Sequence, residues 1–445
     1  MDDRPLSGRE PGPALRAVQR VFKRASQVEP AEFPAVVAAF FLFFCFLGGY
    51  FAVRPVRETV GTILGRDRVS DLYVVTWIVS IAIIPAYGAL CARFRRTAFL
   101  PWIYGFVAFA LAAVGAVFMV DETRIGIGQF FYVMISVLNL FVVSVFWSFL
   151  LELFQPGQTK RLFPAIAAGG TAGALAGPVL TDLLVGVVGN AGILFFGSGM
   201  FVLAILLQRL LLRIWQKGSP GATVAPVDVP MGGNPFAGFA LVFRSPYLLG
   251  IALFVMLLAS VSTILYFDQL DLVSSTFSDT ADRTRVFSRI DYTVQTLTII
   301  AQFFITGRVA KRWGVVPLVT LVPLAMIIGF LSLASFYTFS VLAVVMVARR
   351  AGEYAFVRPG REMLFAGLDM ETKYKAKSTI DVPVYRGGDA LSAQVGNALQ
   401  GAGMAPASVA LLGAGVATCW AVTGLLVGRH REALERGPAG SRPAT

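Results

Sequence analysis

About twelve stretches of mostly apolar side chains, separated by short polar breaks, divide this chain. They run approximately Ala35–Val60, Leu72–Ala92, Ala98–Val120, Gly126–Phe154, Leu162–Val188 and Gly192–Ile214. After one longer interruption come Tyr247–Val273, Arg289–Val309, Val315–Phe336, Thr338–Phe365, Ile380–Leu399 and Ala407–Gly428. An α-helix needs about 20 apolar residues to cross the hydrocarbon core of a bilayer, and each stretch reaches that length. The pattern predicts an all-α polytopic membrane protein of about twelve transmembrane helices in two six-helix halves. The expected organisation is a polar N-terminal segment over 1–34, a first half over 35–215, a linker over 216–246, a second half over 247–428 and a tail over 429–445.

Composition narrows the function. Of 445 residues, 56% are hydrophobic and only 14% charged, where soluble domains carry about 25% charged residues. The net charge of +12 would suit nucleic acid, but the basic residues sit in short loops and tails between apolar runs, so no nucleic-acid partner is expected. Cys45, Cys91 and Cys419 are far apart in sequence, with no paired spacing, so neither a disulfide framework nor a metal site is expected. The one histidine, His430, lies in the polar tail, which leaves no Ser-His-Asp set. No cofactor and no catalytic group are expected, and the chain reads as something other than an enzyme. The bilayer is the expected partner and a monomer the expected state.

Loop charge predicts orientation. Alternate connections hold Arg93, Arg95 and Arg96; Lys160 and Arg161; Arg213, Lys217 and Arg244; Lys311 and Arg312; Lys373, Lys375 and Lys377. The intervening loops are poor in base, apart from Arg66/Arg68 and Arg283/Arg285, which are diluted by acids. Both termini are therefore expected in the cytoplasm, and richness in alanine, glycine and arginine suggests a bacterial inner membrane. Within the linker, Asn234-Pro235 reads as an N-cap and first helical residue. Phe236, Phe239, Val242 and Phe243 would then form a short amphipathic surface helix.

Charge inside the runs is the functional signal. Tyr50-Phe-Ala-Val-Arg54-Pro55-Val-Arg57-Glu58 returns as Tyr354-Ala-Phe-Val-Arg358-Pro359-Gly-Arg361-Glu362. Residues three and four apart share a helix face, so each copy gathers two arginines and a glutamate on one side. An arginine at the centre of a span costs about 2.5–3.5 kcal/mol on insertion scales, so these residues should face water, ligand or opposite charge. Arg349 and Arg350 add to the second copy, and Glu353 can pair with either. Arginine's planar fork suits phosphate or carboxylate, making one of Arg349 and Arg350 the leading single candidate for a substrate contact. Asp182 and Asp291 have no obvious basic neighbour in sequence and are candidates for a coupling proton or sodium ion. Pro55 and Pro359 should loosen their helices, and the small residues Gly169, Gly170, Gly173 and Gly177 should let helices approach closely.

Two helix ends, Gly88-Ala-Leu-Cys-Ala-Arg93-Phe94 and Gly307-Arg-Val-Ala-Lys-Arg312-Trp313, resemble worn copies of the GxLxDRxGRR signature of major facilitator transporters, whose halves repeat about an axis along the membrane normal. Four further stretches resemble the nucleotide (ATP/ADP) translocases: Ala52-Val-Arg54-Pro55-Val-Arg57-Glu58-Thr59; Phe146-Trp147 through Glu152 with Gln158-Thr-Lys160-Arg161-Leu-Phe163-Pro164; Ser245-Pro246-Tyr247 leading into the seventh run; and Lys375-Ala-Lys377-Ser-Thr-Ile380-Asp381. The resemblance implies transport roles for charged positions of spans one, four, seven and eleven, here Arg57, Glu152, Asp268 and Lys377. Arg57 stands where that family has lysine, Asp268 where it has glutamate, and Leu151 where it has asparagine.

The reading that follows is a secondary carrier for an organic anion, a nucleotide or another phosphorylated metabolite among the candidates, working by alternating access. Expected substrate contacts are Arg54, Arg57, Glu152, Asp268, Arg349, Arg350 and Lys377. Two charge gates are expected, Arg54/Arg57 with Asp268/Asp271 outside and Glu152 with Arg358/Arg361 inside. The alternative is a lipid-handling or scaffolding membrane protein that keeps the fold without solute transport.

Overall fold

The computed structural model describes residues 28–29, 32–93, 96–218, 237–366 and 368–436. Most of the 1–34 segment, linker residues 219–236 (with Asn234, Pro235 and Phe236) and the tail from 437 lie outside the described residues. Every regular element among the described residues is helical. The first half comprises α1 (Phe33–Leu64), α2 (Arg66–Arg93), α3 (Arg96–Phe118), α4 (Ile125–Leu153), α5 (156–188) and α6 (190–218). A short α7 (Ala237–Arg244) precedes the second half. That half consists of α8 (Pro246–Thr276), α9 (280–313), α10 (Val316–Ser335), α11 (339–364), α12 (370–401) and α13 (Pro406–Arg436). The twelve long helices follow the twelve apolar runs, and several are long and apolar enough to cross a bilayer by themselves. The chain is an integral membrane protein with the two-half, all-α architecture.

Local chemistry sets many of the ends. Ser245 caps α8 by accepting from the Leu248 amide, with Pro246 at the first helical position. Asp279 and Asp369 cap α9 and α12 in the same way. Two junctions are tighter than the pattern suggests. α1 and α2 are separated by Gly65 alone, at φ 79°, a conformation that costs glycine little. Arg66 and Arg68 therefore begin a helix instead of occupying a loop. Gly189, at φ 66°, likewise turns α5 into α6. The expected tail at 429 is helical through Arg436, and His430 rests beside Tyr247 with ring centroids 5.2 Å apart.

The expected surface helix is present over Ala237–Arg244, but its apolar residues are divided. Val242 is buried while Phe243 is exposed, because α7 packs against both α8 and the start of α12. Each half has its own apolar core. That of the first half extends onto Tyr266, Phe267 and Leu270 of α8, which tie the halves together at one end.

The glycines of α5 do what their spacing predicts. A Cβ built on Gly169, Gly173 or Gly177 would stand 2.3–2.5 Å from the backbone oxygens of Phe40, Phe44 or Gly48 in α1. Only the missing side chains let the two backbones approach this closely.

Candidate substrate cavity

Between the halves lies a cavity of about 640 Å³, lined from α1, α2, α4, α5, α8, α9, α11 and α12. The two copies of the repeated phrase face it from α1 and α11. Its charged lining consists of Arg54, Arg57, Arg349, Arg350, Arg358, Arg361 and Arg386 with Glu58, Asp291, Glu353, Asp381 and Asp389. No lysine or histidine lines it among the described residues.

The charges form linked pairs. Arg57 donates to both oxygens of Glu58 at 2.8 and 3.0 Å and to the Ser136 hydroxyl at 3.0 Å, and its guanidinium lies over the Tyr132 ring at 4.7 Å. Arg54 lies 3.8 Å from Glu58 and 3.5 Å from Asp291. Asp291, 3% exposed, also takes Arg350 at 2.7 Å, so one carboxylate of the second half joins an arginine from each half. Arg349 reaches Ser262 at 2.6 Å and Glu353 at 2.9 Å. Arg358 approaches Glu353 at 3.5 Å and covers the Tyr354 ring at 4.3 Å. Arg361 pairs with Asp381 and Arg386 with Asp389, each at 3.4 Å.

Backbone irregularity concentrates on the same wall. α9, α11 and α12 each widen into a π turn, at Gln302–Thr306, Glu353–Val357 and Ile380–Val384. These turns contribute Gln302, Glu353, Tyr354 and Asp381 to the cavity, and such turns recur at functional sites. Pro359 cannot donate to the carbonyl of Ala355, four residues earlier. That carbonyl accepts from the Thr306 hydroxyl of α9 at 2.8 Å instead, while Gln302 donates to the neighbouring Tyr354 carbonyl. The loosening expected at Pro359 is thus absorbed by a facing helix.

The expected site residues divide. Arg54, Arg57, Arg349 and Arg350 meet in the cavity. Arg349 and Arg350 point to different partners, as adjacent helical residues must, yet both line it. Lys377 lies apart from the lining and bonds Glu362 at 2.7 Å, so the second phrase spends its glutamate outside the cavity while the first buries Glu58. Glu152 is half-buried and outside the lining. Asp268 is fully buried and accepts from the Tyr337 hydroxyl at 3.1 Å.

Neither Arg54 nor Arg57 forms an ion pair with Asp268 or Asp271. Asp271 pairs with Arg66, a residue the sequence reading assigned to a loop, and the Arg66 guanidinium also lies over Phe267. Glu152 likewise forms no ion pair with Arg358 or Arg361, whose partners are Glu353 and Asp381. The coupling candidates, without an obvious basic neighbour in sequence, meet basic residues of other helices. Asp182 lies 3.2 Å from Arg289 and 3.7 Å from Arg285, and Asp291 has Arg54 and Arg350.

The halves are stitched at the end opposite the linker. Tyr132 and Tyr266 share a hydroxyl hydrogen bond of 2.7 Å, as do Thr59 and Thr284 at 2.6 Å. Arg283 reaches Thr62, and Thr280 donates to Glu122. Packing follows suit: α1 lies against α8 and α9, α5 against α9, and α2 against α12. α4 and α11, which frame the linker end, share no extended contact. The cavity is closed at the far face.

Fold and site together describe a membrane transporter. No family model matches the chain. The ADP,ATP carrier protein 1 of Chlamydia trachomatis is 21% identical over 427 positions, covering 80% of each chain. The nucleoside transporter NupG superimposes with a TM-score of 0.60 at 16% identity, over 90% of this chain and 99% of that one. A bacterial homologue of the iron transporter ferroportin, in an inward-facing state, gives 0.61 at 12% identity, over 87% and 98%. The resemblance read from the motifs is borne out: the chain is nucleotide-translocase-like in sequence and has the fold of major facilitator transporters.

Proposed function

We propose that this protein is a secondary carrier that moves an organic anion by alternating access, with a nucleotide or another phosphorylated metabolite as the class of solute. The observation that carries the reading is the arginine-lined cavity between two halves whose joining contacts, among the described residues, gather at the far face. Arginine presents two parallel donors to an oxyanion, and a water-filled cleft is where charges within a span become affordable. Carriage of ADP and ATP is what the name of the Chlamydia relative describes for that protein, and nucleotides are the first solutes to test here. In reconstituted liposomes, uptake of labelled nucleotide should saturate and should depend on anion trapped inside. Absence of flux with every organic anion tried would sink the carrier reading in favour of a lipid-handling role. An apolar groove of about 1010 Å³ along α2, α3 and α4 is the feature that favours that second reading.

In this proposal the linker face is cytoplasmic and the membrane is a bacterial inner membrane, by the placement of basic loops. Cysteines introduced singly at Gln216 and at Thr123, in a cysteine-free background, should react with an impermeant reagent from opposite sides, Gln216 from the cytoplasm. Labelling of both from one side would refute the topology.

Two ionic devices would hold the alternate states. At the far face, Arg66–Asp271 bridges the halves, in place of the Arg54/Arg57 partners expected from sequence, while Tyr337 braces Asp268 within the second half. At the linker face, Glu152 would meet Arg358 and Arg361 once the cavity closes there. Each device stabilises the state closed on its own side, which supplies the bistable element such a cycle needs.

A further inference from the structure

The charge lining the cavity does not cancel. Seven arginines face five carboxylates, which leaves two positive charges in the cavity. The surplus is local. Arg54, Arg57 and Arg350 share two acids, Glu58 and Asp291. Arg349 and Arg358 share one, Glu353. Arg361 with Asp381 and Arg386 with Asp389 are balanced pairs. The two surplus charges therefore belong to neighbouring clusters whose arginines include the adjacent residues 349 and 350 of α11.

Hydrogen bonding tells the same story. Five arginine donors, Nε of Arg57, Arg349, Arg361 and Arg386 and Nη2 of Arg350, are buried without an acceptor, against two carboxylate oxygens of the lining, Asp291 Oδ2 and Asp381 Oδ1, without a donor. Unfilled donors thus outnumber unfilled acceptors, an imbalance of the same sign as the surplus charge.

We infer that the solute is a divalent organic anion of the phosphate-monoester class, bound by the Arg54/Arg57/Arg350 and Arg349/Arg358 clusters, and that di- and triphosphates are disfavoured. This rests on the anion-carrier reading and specifies its substrate. A monoester at neutral pH carries a charge near −2 and three acceptor oxygens, matching both the surplus charge and the unfilled donors. A diphosphate or triphosphate brings more negative charge than the lining offsets. The all-arginine donor set fits a tetrahedral oxyanion better than lysine would, through paired N–H groups. The volume of about 640 Å³ exceeds what phosphate alone fills, and Tyr50, Phe51, Trp147 and Tyr354 offer aromatic faces to the organic part.

The test is equilibrium binding to the purified full-length protein in nanodiscs. EDTA is included so that magnesium cannot mask charge on a polyphosphate. The probes are adenosine mono-, di- and triphosphate, ribose 5-phosphate and succinate. At pH 7.5 the two monoesters should bind at least tenfold more tightly than the triphosphate. Their affinity should fall as pH drops through about 6, where the second phosphate proton returns. Asp389→Asn raises the surplus to three charges and should shift preference toward the diphosphate. Arg386→Gln lowers it to one and should weaken the monoesters. If Asp389→Asn fails to fold, Asp381→Asn makes the same change on a more exposed carboxylate. Tightest binding of the triphosphate, or a rank order indifferent to these variants, overturns the inference. Succinate binding as well as the monoesters overturns its phosphate part. Binding of no anion at all would instead bring down the carrier reading on which it rests.

Discussion

Gly173→Val should leave little folded protein. The added Cβ would stand 2.4 Å from the Phe44 carbonyl oxygen and 2.9 Å from the Gly48 amide nitrogen of α1. Both obstacles are backbone, so no rotamer change relieves the clash. Overpacking a well-filled interior costs about 1–3 kcal/mol when side chains can adjust, and here α1 and α5 must separate along their shared face. That separation would also move Arg54 and Arg57 away from Asp291 and Ser136. The matched control is Gly199→Val on α6, where a Cβ meets nothing within 4 Å. Size-exclusion profiles and melting in detergent should show Gly173→Val aggregated or strongly destabilised and Gly199→Val close to the parent. Equal melting of the two variants would show that the small-residue face is not what joins these helices.

The second large effect is expected at the far-face device. Asp271→Arg should open that face by removing the partner of Arg66 and placing a second cation beside it. Asp271 is partly exposed, with 37% of its side-chain surface accessible, so loss of attraction alone is worth about 1 kcal/mol. Repulsion between the two arginines adds a comparable amount, and together they should shift the ratio of states roughly ten- to thirtyfold. Paired spin labels on α1 and α8 near the far face would report it as a longer distance population. The swapped pair Arg66→Asp with Asp271→Arg should restore the parent distribution. Glu152→Gln should act oppositely, by weakening closure at the linker face. If the reversal at Asp271 leaves the distances unchanged, or if the swap fails to restore them, the Arg66–Asp271 pair is not a gate.

The expected and observed sites differ in an instructive way. Arg54, Arg57, Arg349 and Arg350 could be found because charge within an apolar run is costly wherever the helix ends up. Arg386 and Asp389 carried the same signal and belong to the cavity, although they were not singled out as contacts. Arg66 could not be recognised, since it sits at the edge of its run and its importance comes from Asp271, 205 residues away. The interval between the first two runs reads as a loop, and only the structure shows it to be helical on both sides of Gly65. The pairing of Asp291 with arginines from both halves was equally hidden. Nothing in its own stretch of sequence supplies a counter-charge except through other helices.

The sequence by itself determined the number of membrane-crossing helices, their division into halves, the close face of α5 and the presence of unavoidable buried charge. Each follows from a local cost, whether of exposing backbone or charge to lipid or of fitting a side chain between two helices. Which charge meets which was decided only by the tertiary structure. The same phrase buries Glu58 against two arginines in one copy and sends Glu362 out to Lys377 in the other. Electrostatic energy depends on distance and surroundings that no local pattern encodes, and those were fixed when the two halves packed around the cavity.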